Sequence, residues 1–540
     1  MDQPSSVSGE THPNQDPPGT LRLYSRAANE EYEDIVLIPP PTNSPNDPLR
    51  WSNWRKYWFT AALIILTGLV SGLSMCSGSA SFALTQELGI SSNAYNISIA
   101  LLYIGTGTGA YLMAPMARLI GCKLCYIICV VFGILGSVMF SMVQDTGLLI
   151  ASQLFIGVAL SCAGAMVQHS LSDIYYEHQR GAAIGLYVLA ISGGSFMGPL
   201  IAGFIVDNAA LGWRWIGWLG AICSGAVLFL VLFTLESTSF DRMYHLHQEE
   251  VVLDTKLKPI LSGKTDVTAD HNEHQTSESI DDGKKSLRQR YALITTLATQ
   301  KGKIRRKYAY SLYHTPQCFV LPAVIFAGIQ WGAQLSYLSF YLTVENINYF
   351  QPPWSYGNVA VALMCVPCLI GLVLGIIYAI FFGSFFIRWR AKRNEGVFEA
   401  EYILWLILPN SLIGSAGLLL FGIGTERQWS WPIIYFGLGL IGFNWGCAGD
   451  ISISYMQMAY PEAILECMVG VAVINNTFGC VFTFAAGPWL EGQTLTQVFV
   501  ALAVINFVIT IAAAPMIYWG KMLRWKSLSR YKAFCSGIAS

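Results

Sequence analysis

Apolar residues in this chain fall in long unbroken runs, not in alternating or striped patterns. The runs begin near Tyr57, Asn96, Gly121, Gly147, Gly181, Trp213, Pro316, Val359, Tyr402, Trp431, Met468 and Thr496. Each is roughly 20 residues or longer, enough for a helix to cross a hydrocarbon core of about 30 Å at about 1.5 Å per residue. The pattern predicts an all-α membrane protein with twelve transmembrane helices in two six-helix bundles. Residues 1–56 are polar and Pro-rich and read as a disordered cytoplasmic tail, ending in an anchor of Trp51, Trp54, Arg50, Arg55 and Lys56 at headgroup depth. Residues 57–235 form the first bundle, 236–315 a cytoplasmic central loop, 316–520 the second bundle and 521–540 a cytoplasmic tail. Within the central loop, Leu287 to Tyr308 is rich in Arg, Lys and Leu. It reads either as a basic amphipathic helix on the inner leaflet or as a solvated linker.

Charge orients the spans. Numbering the connections, the odd ones hold only Arg214 and Arg427. The other thirty of the 32 Lys and Arg residues fall in the even connections and the two tails. Basic residues resist translocation, so both termini and the central loop are expected inside. Hydrophobic residues make up 54% of the chain and charged ones 12%, about half the soluble average of roughly 25%. A net charge of −1 gives no reason to expect nucleic-acid binding. No cleavable signal peptide is expected, the first span serving as its own insertion signal. The thirteen Cys fall in spans or on the inner side, so no structural disulfide is expected. Cys122–Cys125 and Cys365–Cys368 lie in different spans without His partners, which argues against zinc. Gly105, Gly107 and Gly109 sit inside an apolar helix with no preceding strand, and no Walker lysine loop is present. Neither cofactor nor metal is expected, the energy source is a gradient, and the chain is not read as an enzyme.

Few polar groups lie inside the spans. Asp450, in Asn444-Trp-Gly-Cys-Ala-Gly-Asp450, is the one acid placed well within a run, and such a charge costs about 2.5–3.5 kcal/mol on insertion scales. It is the first candidate for proton coupling, with an interfacial position at the inner end as the alternative. His169 in span four is the second, since an ordinary imidazole titrates near physiological pH. Gln330, Trp331, Gln334 and Tyr337 in span seven recur at helical spacing. With Asn444 and Trp445 in span ten and Asn476 in span eleven, they are candidates for a cavity lined by amides and rings. The alternative is hydrogen bonding between helices. Asn96-Ile-Ser98 is a glycosylation sequon set close to the start of span two.

Span five carries Gly185-(eight residues)-Gly194-(three)-Gly198-Pro199-Leu-Ile-Ala202-Gly203. Glycines let helix backbones approach closely, and Pro199 removes one helix hydrogen bond. The spacing resembles the antiporter motif of the major facilitator superfamily, with Ala202 in place of a usual Gly. Asp173-Ile-Tyr-Tyr-Glu-His-Gln-Arg180-Gly181, Gly212-Trp-Arg-Trp215, the Ala391–Glu401 segment and Gly487-Pro-Trp-Leu-Glu-Gly492 are similar to fungal twelve-span members. These include drug:proton antiporters and polyamine or cation permeases, many of which export secondary metabolites. Three positions depart from the pattern. The loop after span two reads Ala114-Pro-Met-Ala-Arg118-Leu-Ile-Gly121-Cys-Lys123, keeping Gly121 and Lys123 but placing Arg118 where the family has an Asp of a cytoplasmic gate relay. Gln153 stands where the antiporters carry an Arg four residues before Gly157, and Ser384 lies where an acid is usual after span eight.

The resemblance implies alternating access, with two halves rocking about a site near the midplane. The expected function is export of a small hydrophobic or amphipathic organic molecule, such as a secondary metabolite or drug, coupled to protons. Partners are then the substrate, protons and membrane lipid, with a monomer expected. The plasma membrane is the expected location, a vacuolar or other internal membrane the alternative. Proton-coupled uptake of an organic cation or polyamine is the second expectation, and a non-transporting membrane sensor the third. A polycation requires opposing carboxylates in the cavity, and one Asp is too few for a polyamine though enough for a monocation.

Overall fold

A computed structural model describes residues 18–22, 39, 42, 44–238, 240, 245, 286–295, 304–394 and 397–539. Among them, each expected run is a helix. Spans one to six are Asn53–Cys76 (extended by a short turn and Ser81–Leu88), Ser92–Ile120, Cys122–Ser141, Thr146–Gly164 with Met166–Ile174, Glu177–Asp207 and Arg214–Thr234. Spans seven to twelve are Pro322–Val344, Asn358–Leu363 with Cys365–Arg393, Ala400–Glu426, Trp431–Ala459, Ile464–Gly492 and Leu495–Ile511 continuing into Ala513–Ala539. Many large apolar side chains, among them Phe229, Phe381, Phe436 and Val504, point outward, as lipid-facing residues must.

The start of span seven differs from its expected place at Pro316. The chain from Ile304 to Val320 runs 80° away from Pro322–Tyr349, so the span begins at Pro322. Pro322 has no backbone N–H to contribute, which suits a first helical position. The helix expected over Leu287–Tyr308 is divided. Leu287–Arg290 forms one turn and Ile304–His314 a separate helix; residues 296–303 lie outside the described set.

The tail expected to be disordered is ordered in part. Thr20–Arg22 form a strand, β1, antiparallel to β2 at Val397–Glu399 beside span nine, with Leu21 opposite Phe398. Gly19, at φ 89°, lies so close to the Met458 carbonyl at the inner end of span ten that a side chain would collide there. Arg524 of the last helix, 1% exposed, bonds Glu401 Oε1 at 2.8 Å, Glu399 Oε2 at 3.1 Å and the Pro18 carbonyl. Nearer span one, Asp47 is buried and accepts from the Thr42 hydroxyl at 3.0 Å, while Lys56 donates to the Leu49 carbonyl at 2.9 Å. Buried charges and backbone groups are paired here because no water reaches them.

The halves meet chiefly along two pairs of spans, with span ten also against span five. Span two packs along span eleven and span five along span eight. Gly107 abuts Asn476, Gly185 meets Ile380 and Gly203 meets Ala362, each across the boundary.

Candidate functional site

The inner side of the boundary is closed by polar links. Arg118 at the end of span two forms an ion pair with Glu466 at the start of span eleven. Glu466 is 4% exposed, so solvent screens this pair only weakly. The Gln457 amide of span ten donates to Gln168 Oε1 of span four at 2.6 Å. The gate-loop position that departs from the family pattern thus carries a charge link between halves, with the cation on the first half. Gly121, at φ 104°, ends span two, and Lys123 donates to the Leu232 and Tyr291 carbonyls at 2.9 and 3.1 Å, tying spans three and six to the central loop.

On the opposite side a cleft of about 560 Å³, counting its mouth, opens between the halves. Tyr95, Asn96 and Tyr103 of span two line one wall; Ser339, Asn346 and Thr483 line the other. At its floor Ser339 Oγ meets the Tyr103 hydroxyl at 3.2 Å and accepts from Thr483 at 3.0 Å, joining spans two, seven and eleven. Asn96 is therefore a wall residue, 8% exposed inside a helix, and does not present the accessible loop that its sequon would need.

Between these two levels lie the sequence-derived candidates, some of them bonded between helices and some with unpartnered atoms. Gln334 Oε1 accepts from Asn444 Nδ2 at 2.9 Å, and the same amide nitrogen donates to Asn506 Oδ1 at 3.0 Å. Asn410 of span nine donates to Asn444 Oδ1 at 2.7 Å, and Gln330 to Thr510 Oγ1 at 3.3 Å. Gln330 thus bonds span twelve, Gln334 bonds span ten, and Asn444 links spans seven, nine and twelve within the second bundle. One end of each glutamine amide stays unbonded among the described residues, Gln330 Oε1 and Gln334 Nε2, so these side chains join helices and still hold polar atoms in reserve.

Further buried polar atoms lack partners among the described residues: the Tyr337 hydroxyl, Trp445 Nε1 and Asp450 Oδ1 of the candidates, Asn475 Oδ1 beside Asn476, and both amide atoms of Gln153 in the first half. Trp445 reaches the boundary, its ring 5.3 Å from Phe196 of span five in an edge-to-face contact. Trp331 closes over Gly449, next to Asp450. Asn476 bonds its own helix at the Ala472 carbonyl, 2.7 Å, and faces Gly107. An unmet buried polar group costs roughly 1–3 kcal/mol, so each of these atoms weakens the folded state unless something bonds it.

Asp450 is 4% exposed, and every residue from Asn444 to Ala459 is buried. Its side chain is enclosed by protein rather than reaching the inner interface. His169 is different. It lies past a break at Ala165, with its side chain 30% exposed and Nε2 3.8 Å from Asp173 Oδ2. It lies in the last stretch of span four, beside Asp173.

Glu345 was missed in the sequence. It ends span seven, is 4% exposed, makes no ion pair among the described residues, and lines a second cleft with Ser79, Pro199, Gly203 and Asn346. The run Val344-Glu345-Asn-Ile-Asn reads as a loop, and no local signal marks it otherwise.

The antiporter-motif glycines divide by face. Gly185 and Gly203 are eighteen residues apart, five turns at about 3.6 residues per turn, and both meet span eight. Gly194 lies half-way, two and a half turns from each, and so on the opposite face. It and Gly198 press on the backbone of span one at Gly68 and Gly72. The Pro199 carbonyl accepts from Ser79 at 2.8 Å.

Comparison with known proteins agrees with this architecture. The family model for the Major Facilitator Superfamily matches residues 62–484. The chain is similar to an uncharacterised MFS-type transporter of Schizosaccharomyces pombe, 42% identical over 96% of this chain and 94% of that one. It is similar to the protein HOL1 of Saccharomyces cerevisiae, 39% identical over 94% and 95%. The solved structure of the proton:xylose symporter XylE with 6-bromo-6-deoxy-D-glucose superposes with a TM-score of 0.56 at 13% identity, covering 87% of this chain and 96% of that one, a likeness of fold. Twelve helices in this arrangement and a family match over most of their length make this chain a multi-pass membrane transporter of the Major Facilitator Superfamily.

Proposed function

We propose that the chain exports a small hydrophobic or amphipathic organic molecule by alternating access, in exchange for protons. The observation that carries this reading is the set of unpartnered polar atoms on Tyr337, Trp445, Asp450 and Asn475. A ligand with ring surface and one or two polar groups would satisfy them, its apolar part resting on Trp445 and Phe196. The inner link of Arg118 to Glu466 and the opposite cleft are what one end state of a rocking cycle requires. Asp450 is the proton site in this reading, because a buried carboxyl without a fixed partner can change protonation without breaking an ion pair.

A second reading, carriage of an organic cation, is favoured by Glu345. With Asp450 it supplies two buried carboxylates that no basic side chain neutralises among the described residues. The test is flux into inside-out plasma-membrane vesicles under an imposed proton gradient, with three labelled probes: a neutral amphipath, a monoamine and a polyamine. Accumulation of the neutral probe supports export of amphipaths. Accumulation of the amines alone replaces it with the cation reading. No gradient-dependent accumulation of any probe by folded protein rejects both.

A further inference from the structure

The helix Ile304–His314 lies along the inner membrane surface if span seven crosses it, since the segment Ile304–Val320 turns 80° away from that span. It touches both halves. The Tyr308 hydroxyl donates to the Leu112 carbonyl of span two at 3.0 Å, and the Tyr111 hydroxyl of span two donates to the Leu312 carbonyl at 2.6 Å. Its far end continues through Thr315–Val320 into span seven.

None of its side chains is buried. At about 100° per residue, Tyr308, Ser311 and Leu312 share the face turned to span two. The other face carries Arg305, Arg306, Ala309, Tyr310 and Tyr313, all exposed, Tyr313 at 78%. Two guanidinium groups do not belong in hydrocarbon, and the Tyr313 ring is poorly placed in bulk water, as is the open side of Tyr310, whose other contacts are His314 and Gly537 of the last helix. The headgroup layer accepts both, because tyrosine sits there with its ring in the acyl boundary and its hydroxyl in water. The surrounding inner surface is also basic. Arg388, Arg390 and Lys392 at the end of span eight, and Lys526, Arg530 and Lys532 of the last helix, are exposed on the same side of the molecule. The cytoplasmic leaflet is the anionic one, which makes the charge match specific to that side.

We propose that the Arg305, Arg306, Tyr310 and Tyr313 face docks on anionic lipid headgroups of the inner leaflet. The docked helix then bears on transport, because it is bonded to span two of the first half and continuous with span seven of the second. Leaflet charge would seat it against the inner gate. The proposal is independent of which substrate is carried.

The experiment uses the full chain in nanodiscs of phosphatidylcholine, or of phosphatidylcholine mixed with phosphatidylserine, and follows hydrogen exchange of the Ile304–His314 amides. Exchange is expected to be several-fold slower with phosphatidylserine, and the difference to vanish at high salt, where charge attraction is screened. The Arg305→Gln, Arg306→Gln double variant should exchange alike in both discs while keeping the wild-type elution profile and thermal midpoint. Native mass spectrometry should find phosphatidylserine retained by the wild type and lost from the variant. Equal exchange of the wild-type helix in both discs would overturn the proposal. So would protection by added polyglutamate in neutral discs without any effect of phosphatidylserine, which would assign the face to an acidic protein partner.

Discussion

Asp450 lies nine residues before the inner end of span ten, about 14 Å by helix rise, inside a stretch that is buried on every side. A carboxyl so placed cannot snorkel to the interface, which removes the interfacial reading of this residue and leaves a role in the cycle as the default. Asp450→Asn holds the shape of the protonated acid and cannot release a proton. It should abolish export driven by a pH gradient yet retain exchange of labelled for unlabelled substrate, since exchange needs only binding and rocking. Gradient-driven accumulation at the wild-type level by Asp450→Asn would make the residue structural, and the coupling would then have to pass through His169, Glu345 or another ion. Asp450 was legible because a charge in the middle of an apolar run stands out. Glu345 was not, because it follows the last apolar residue of span seven, and its burial comes from the neighbouring half and span eight. Helical spacing put Gln330 and Gln334 on a common face, but spacing says nothing about which neighbour that face meets. Here the bonded neighbours are Thr510 of span twelve and Asn444 of span ten, and Gln330 Oε1 and Gln334 Nε2 are left unbonded among the described residues.

Span five shows the same limit at the scale of an element. The spacing of its glycines identifies close packing but not the neighbour they pack on. Their angular positions give two contacts, with Gly185 and Gly203 on span eight and Gly194 and Gly198 on span one. Gly198→Leu therefore acts within the first bundle. Its side chain would be forced against the Gly72 backbone, and overpacking of this kind costs typically about 1–3 kcal/mol. A lowered thermal midpoint of the purified protein is expected, with transport falling in proportion to the folded fraction. Gly203→Leu should instead wedge the halves apart at Ala362, slowing transport while the midpoint stays nearer to wild type. Equal midpoints for Gly198→Leu and the wild type would show that span one can shift away without loss and would refute the two-face account. The spans themselves were readable because each must hide some 20 residues of backbone in lipid, a demand that leaves a run of apolar residues whatever its neighbours are. The strand at Thr20–Arg22 and the separate helix Ile304–His314 left no such mark, since short polar elements are fixed by what they dock on.

For the whole molecule, the question is what holds the inner side shut. Alternating access requires two packings of the halves whose free energies differ by little, so a single link can shift the balance between them. Arg118 and Glu466 are such a link, the cation on one half and a nearly enclosed carboxylate on the other. Removing the guanidinium leaves Glu466 buried and unpaired in the closed state, whereas opening would let water reach it. Arg118→Gln should therefore disfavour the closed inner side, and a change of about 1–2 kcal/mol would alter the ratio of the two states by roughly 5- to 30-fold. The readout is hydrogen exchange in nanodiscs at the inner ends of spans two and eleven, residues 114–121 and 464–470, which should quicken in Arg118→Gln and in Glu466→Gln. The exchanged pair, Arg118→Glu with Glu466→Arg, restores an attraction of the same geometry and should bring exchange back towards wild type. Lys123 does not compensate in the single variants, because its ammonium is already committed to the Leu232 and Tyr291 carbonyls. Failure of the exchanged pair to slow exchange, in protein of normal thermal midpoint, would mean that the charge link is incidental. The inner side would then be held by the Gln457 to Gln168 bond and the apolar packing of spans two and eleven alone.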